Sequence, residues 1–162
     1  MCIRDSYYSN RKHWDWATNP NARERASFLK ENFVPLEEAG LVKFVEEWEE
    51  IMPGVSCKFS YGHTEAMMIP HIKVGEQTLV YCADLFPSPH HVPLPYIMGY
   101  DIRPMVTLQE KLDYLPKAHA ENYTFFFEHD PTIECGRLTK DEKGRIKIGE
   151  TFSLEEFNKS LS

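Results

Sequence analysis

The stretch Val55-Ser-Cys-Lys-Phe-Ser-Tyr-Gly-His63-Thr-Glu-Ala-Met-Met68 sets the pattern that the rest of the chain repeats. Its residues Val55, Cys57, Phe59 and Tyr61 alternate with Ser56, Lys58 and Ser60, the period of a half-buried strand. Gly62 has no Cβ and lets the backbone turn sharply, so His63 is expected on a turn at the strand's end, where a ligand or catalytic group belongs. Two later runs end in the same way. Thr78-Leu-Val-Tyr-Cys-Ala83 closes on Asp84, and Tyr123-Thr-Phe-Phe-Phe127 closes on Glu128, His129 and Asp130. Both lack polar alternation and are too short for a helix, so they read as strands buried on both faces.

The 162 residues suffice for one domain or half of a larger one, and 42% apolar content supports a real core. A net charge of -7, without clustered Lys and Arg, argues against a nucleic-acid partner. Cys2, Cys57, Cys82 and Cys135 form no C-x-x-C pair, and two of them fall in expected strands. Reduced, buried thiols are therefore expected rather than a disulfide framework. No run has the length of apolar sequence that a membrane span needs, and nothing resembles a signal peptide. The cytoplasm is slightly favoured, but the compartment stays open, because Met1-Cys-Ile-Arg-Asp-Ser6 resembles the translated end of a sequencing-library transposon. Residues 1–6 are then a non-native junction, with native sequence expected from Tyr7.

Ser9 is expected to cap a short helix carrying His13, Trp14 and Trp16, with His13 a packing residue. Asn21 and Glu24 resemble a capping pair for a second helix, through Phe28 and Leu29 to about Asn32. Leu41 to Glu46 reads as a strand, and Glu46 to Glu50 as a solvated acidic connector. Met67 to Val74 and Gln77 to Asp84 form a hairpin about Gly75, with His71 at the surface. The proline-rich run Leu85 to Pro95 must be a loop directly after Asp84, a wall for any site built there; adjacent histidines such as His90 and His91 are more often solvent-exposed. Pro104 opens a helix with Met105, Leu108, Leu112 and Leu115 on one stripe, a kink or restart at Pro116, and His119 exposed. Ile133 to Leu138 and Arg145 to Ile148 make a hairpin, and Ser153-Leu-Glu-Glu156 is a capping box for a terminal helix.

Imidazole nitrogen and carboxylate oxygen are ligand types of catalytic zinc sites. An aspartate ending an apolar strand also needs a partner, because an unpaired carboxylate away from water costs several kcal/mol. Spacing by itself leaves ordinary hydrogen-bonded strand ends as the alternative.

Gly62-His63-Thr64, Ala83-Asp84-Leu85 after a hairpin strand, and Phe127-Glu128-His129-Asp130 after a helix together resemble the C-terminal half of a metallo-β-lactamase-fold hydrolase. The Pro87 to Pro104 loop, including Gly99-Tyr-Asp101, is similar to the lactonase-like and phosphotriesterase-like branches, and the likeness covers residues 7–148. The resemblance implies that His63 binds one metal, that Asp84 bridges two and is the catalytic carboxylate, and that His129 binds the second. His91 and Tyr96 are candidate substrate-pocket residues. Two divalent ions, zinc by ligand type, would share a water whose hydroxide attacks a small ester-like substrate: a lactone, phosphoester or amide. The family's His-x-His-x-Asp-His motif is absent, since the histidines stand at 13, 63, 71, 90, 91, 119 and 129. One copy of this chain therefore cannot close a dinuclear site and is expected to be inactive.

The implied fold is α/β, half of a four-layer αβ/βα sandwich over residues 7–162, with a mixed sheet and helices over one face. The other face, bearing Phe125, Phe126 or Phe127, would lie uncovered and favour self-association. A small-molecule substrate is the expected partner, with neither nucleic acid nor membrane. A non-catalytic binding protein that keeps the fold and uses its Pro-rich loop is the competing reading, and a nuclease of the same fold is disfavoured by the acidic charge.

Overall fold

The computed structural model describes residues 6–161, so the expected junction falls almost wholly outside the described residues. Along the chain run β1 (Tyr7–Ser9), α1 (Arg11–Thr18), α2 (Lys30–Glu38), β2 (Val42–Phe44), β3 (Glu50–Met52), β4 (Val55–Ser60), β5 (Met67–Val74), β6 (Gln77–Tyr81), α3 (Pro104–Ala120), β7 (Thr124–Phe126), β8 (Cys135–Lys140), β9 (Ile146–Phe152) and α4 (Leu154–Lys159). β3 to β9 form one seven-stranded sheet in sequence order, and β1 pairs with β2 separately. Within the large sheet only β6 and β7 are parallel. A parallel step needs a crossover long enough for a helix, and the Pro-rich loop with α3 provides it.

α3 covers one sheet face. Ile69, Val80, Phe125 and Leu138, one from each of four neighbouring strands, pack against Phe86, Tyr114, Leu115 and Ala118. The inward side of α3 differs from the expected stripe: Thr107, Lys111, Tyr114, Leu115 and Ala118 are buried, while Met105 is 72% and Leu112 43% exposed. The reason is Lys111, whose Nζ donates to the carbonyls of His91 (2.6 Å), Pro93 (2.9 Å) and Tyr96 (2.9 Å). Burial pushes its pKa down to about 8, so it is still a cation at neutral pH and ties the Pro-rich loop to the helix. Pro116 neither ends nor restarts α3, which continues to Ala120 with Pro116 exposed. A missing N–H on the solvent side removes a single backbone bond.

Near the N-terminus, Asn10 rather than Ser9 caps α1, accepting from the His13 N–H. The second helix begins at Lys30, beyond the expected start. Asn21 does accept from the N–H groups of Arg23 and Glu24, but residues 22–27 form only turns. The Glu24 side chain is drawn into the interior, where it accepts from Trp16 Nε1 (2.8 Å) and Asn21 Nδ2 (2.6 Å).

His71, expected at the surface, is 4% exposed. Residues 69 and 71 share a face of β5, and that face meets α3. The His71 Nδ1–H donates to Ile69 O (3.0 Å), Nε2 accepts the Tyr114 hydroxyl (2.7 Å), and the rings of Trp48, Tyr114 and Tyr123 surround it. On the opposite sheet face Cys57, Phe59 and Ala66 form a small buried cluster. Farther across that face Met68, Pro70, Ile72, Leu79 and Phe126 are half-buried and Tyr81 is exposed. Of the three phenylalanines expected there, only Phe126 faces that way, since Phe125 and Phe127 belong to the main core. Cys57, Cys82 and Cys135 are free and buried, as expected.

Burial holds the His71 pKa down at about 4, against an ordinary value of 6.5. The unfolded chain therefore takes up this proton first as pH falls. The stabilisation is complete above pH 6.5 and is lost between 6.5 and about 4, by roughly 3 kcal/mol. Chemical denaturation across that range should show the decline, and His71→Gln should flatten it; an equally steep decline in the variant would contradict this.

Candidate metal centre

β4 ends at Ser60, and the backbone beyond it is held from two sides. From α3, Glu110 accepts from the Ser60 hydroxyl (2.7 Å) and from the N–H groups of Tyr61 (2.5 Å) and Gly62 (3.3 Å). The N–H of Arg103 donates to Gly62 O (2.8 Å) and that of Ile102 to His63 O (3.1 Å). From the N-terminal segment, Glu24 accepts the Thr64 hydroxyl (2.5 Å), His13 Nδ1 donates to Glu65 O (2.6 Å) and Asn10 Nδ2 to Ala66 O (2.8 Å). Gly62 serves proximity more than conformational freedom, since its φ is not positive. A Cβ there would stand 2.1 Å from Thr107 Oγ1 and 2.5 Å from the Thr107 backbone nitrogen.

Asp84 is presented differently. The Cys82 N–H still bonds Phe126 O across the sheet (3.1 Å), and then Ala83 adopts φ +45 and the chain enters a 3-10 turn, Ala83–Leu85. A positive φ at a residue with a Cβ is strained backbone of the kind that clusters at functional sites. His129 follows β7 on a loop closed by Asp130, whose Oδ1 accepts from the N–H groups of Thr132 (3.0 Å) and Ile133 (2.8 Å).

The three strand ends converge. His63 Nε2 lies 3.3 Å from Asp84 Oδ2, and His129 Nε2 lies 3.4 Å from Asp84 Oδ1. Both contacts are longer than a charge-assisted hydrogen bond of about 2.7–2.9 Å. They equal the spacing of two donors on one tetrahedral zinc, about 3.3–3.4 Å for bonds near 2.0–2.1 Å. Each carboxylate oxygen thus faces one imidazole. Among the described residues no group of three or more His, Cys, Asp or Glu is arranged to hold a metal ion. The donor types present, imidazole nitrogen and carboxylate oxygen, are ones zinc accepts, and Asp84 is paired once with each histidine.

Electrostatics distinguish the groups. Burial lowers the His63 pKa, but the Asp101 hydrogen bond and the charges of Asp84, Asp101 and Glu24 outweigh it, so the net shift is upward. The Glu128 carboxyl is raised, by burial first and then by Asp84, against lowering by backbone hydrogen bonds and His129; its Oε2 is buried without a partner. Burial, with Glu128 and Asp84 nearby, raises the Tyr81 phenol. Of the candidate pocket residues, His91 bonds Ser88 through Nδ1 (2.9 Å), and Tyr96 lines a separate groove of about 590 Å³ between the Pro-rich loop, α3 and the β8–β9 turn. Neither touches the His63, Asp84 and His129 group through a hydrogen bond or ion pair. Sequence reading passed over Asp101, Glu110 and Glu128 as individual residues; for Glu128 the adjacent His129 was the available signal.

No protein-family profile matches the chain, and no curated protein sequence matches it significantly. Solved structures do. A probable metal-dependent hydrolase from Staphylococcus aureus superposes with a TM-score of 0.75 at 23% identity, over 90% of this chain and 52% of its own. The hydrolase AbOPH of the β-lactamase superfamily gives 0.71 at 16% identity, over 88% of this chain and 54% of its own. AidC, a dizinc quorum-quenching lactonase, gives 0.68 at 18% identity, over 91% and 55%. The chain has the metallo-β-lactamase fold. It spans about half the length of these proteins, and its mixed sheet with helices corresponds to the C-terminal half of the metallo-β-lactamase sandwich.

Gly62→Ala should destabilise the chain by about 3 kcal/mol or more, because the intruding methyl meets backbone that cannot rotate away. Urea denaturation measures it; a loss below about 1 kcal/mol would show that the β4 turn and α3 can separate without cost.

Proposed function

We propose that this chain is the later half of a dinuclear metal-dependent hydrolase acting on a small ester-like substrate. The observation that carries the reading is the carboxylate of Asp84, with one imidazole nitrogen at chelating distance from each oxygen. His63 Nε2 with Asp84 Oδ2 would hold one divalent ion, and His129 Nε2 with Asp84 Oδ1 the other. Such ions, zinc by donor type, supply Lewis acidity and bring the pKa of a water close to neutrality. The Asp84 carboxylate would stand between the two positions and offset part of the ions' charge. His63 is fixed by its neighbours, while His129, on a loop with its side chain 59% exposed, is the adaptable ligand. Glu128 and Tyr81, both shifted upward by burial and by the charge of Asp84, stand beside the site, and the Tyr81 hydroxyl can donate a hydrogen bond to a substrate oxygen.

Among ester-like substrates a lactone is favoured, because a solved relative of the same fold is a dizinc lactonase. A purely binding role would not require three strand ends to converge on one carboxylate. The absent His-x-His-x-Asp-His set leaves each position short of ligands, so the 162-residue chain should bind zinc weakly and show no turnover. A protein restored to the length of its structural relatives should bind about two ions per chain. Asp84→Ala should remove both ions and all lactone hydrolysis, read by metal analysis and ester or lactone assays. Unchanged metal content in the variant would refute the assignment.

The open sheet face extends the proposal to self-association of the isolated chain. Sedimentation should reveal concentration-dependent dimers or larger species, and Tyr81→Lys with Phe126→Lys should shift them toward monomer. A wild-type chain that stays monomeric at high concentration would refute this.

A further inference from the structure

Asp101 sits at the end of the Pro-rich loop, three residues before α3, and is 3% exposed. One carboxylate oxygen lies 3.0 Å from His63 Nδ1, and the other accepts the Thr107 hydroxyl at 2.6 Å. A carboxylate oxygen accepts, so the contact is a hydrogen bond with Nδ1 carrying the proton. That leaves Nε2, the nitrogen facing Asp84, as the imidazole's lone-pair donor whenever the ring is neutral. Thr107 is also the residue against which Gly62 is packed, so the group that orients Asp101 is in contact with the turn that carries His63. We infer that Asp101, oriented by Thr107, is a positioning residue that fixes the His63 tautomer and ring so that Nε2 is presented as a metal donor. The inference rests on the metal reading above for its purpose, but its geometry is independent of it.

Three features make the arrangement more than a satisfied pair. The Thr107 hydroxyl and the His63 N–H take different oxygens of Asp101, so the carboxylate cannot rotate without breaking one bond. The backbone of the following residue is tied to the same histidine, through the Ile102 N–H and His63 O. The burial of Asp101 also keeps water from competing for the His63 Nδ1 proton. An outer carboxylate of this kind raises the basicity of a ligand imidazole, and its loss weakens metal affinity about 10- to 100-fold.

The test has a metal-free arm and a metal arm. Long-range proton–nitrogen NMR of the imidazoles at about pH 9, above the ordinary range of histidine, reports which ring nitrogen is protonated. The wild-type chain should show His63 protonated at Nδ1 and bare at Nε2. Asp101→Ala should move the proton to Nε2 or mix the tautomers, and Thr107→Val, which keeps the carboxylate, should produce a smaller mixing that Thr107→Ser reverses. In the metal arm, zinc titration of the same proteins should show affinity falling about 10-fold or more in Asp101→Ala and recovering in Thr107→Ser relative to Thr107→Val. If Asp101→Ala does not fold, the Thr107 pair decides. A wild-type His63 protonated at Nε2, or a Thr107→Val chain with unchanged tautomer and zinc affinity, overturns the inference. The predicted tautomers without any zinc binding would instead uphold the positioning role and count against the metal reading.

Discussion

The packing of Gly62 against Thr107 is the constraint on which the site depends. It lets the end of β4 and the start of α3 approach to a distance that excludes even a methyl group. At that separation the side chains of residues 101 to 110 reach the turn directly: Asp101 to His63, Arg103 to Tyr61 O, and Glu110 to Ser60, Tyr61 and Gly62. A larger residue at position 62 would push the helix away and leave these carboxylates without donors, which is costly for charges held away from water.

Buried and half-buried polar groups, rather than apolar area, position the His63 turn and the Pro-rich loop. Glu24 and Glu110 brace the His63 turn from opposite sides, and Lys111 straps the Pro-rich loop by three carbonyls. Each such group must be fully bonded to be tolerated, so each admits one arrangement of its neighbours. The apolar core of Phe86, Tyr114 and Phe125 provides the platform. The polar groups decide where the strand ends point. The metallo-β-lactamase fold is seen here over about half the length of its structural relatives.

The readings that failed share a cause. His71 looked like a surface residue because alternation was judged without knowing which face α3 covers. Side-chain polarity alone puts Leu112 on the inner stripe of α3, but Lys111 goes inward because three loop carbonyls await it, and Leu112 goes outward. The Asn21 and Glu24 pair formed its local bonds, yet Glu24 was claimed by Trp16 and Thr64, and the helix began later. In each instance a partner distant in sequence decides which way the side chain goes.

His63, Asp84 and His129 stand out in the sequence because each follows a strand-like run, alternating before His63 and apolar before the other two, and a polar residue there marks where a strand leaves the sheet. The hairpin about Gly75, the helix opening at Pro104 and the capping box at Ser153 were legible for similar local reasons. Only the tertiary structure decided that the two imidazoles meet opposite oxygens of one carboxylate and that Asp101 stands behind His63. Those relations join residues 21 (His63 and Asp84), 38 (His63 and Asp101) and 45 (Asp84 and His129) positions apart, through sheet order and the seating of α3. No local periodicity encodes such a distance; it emerges when the buried donors and acceptors of separate segments are satisfied together.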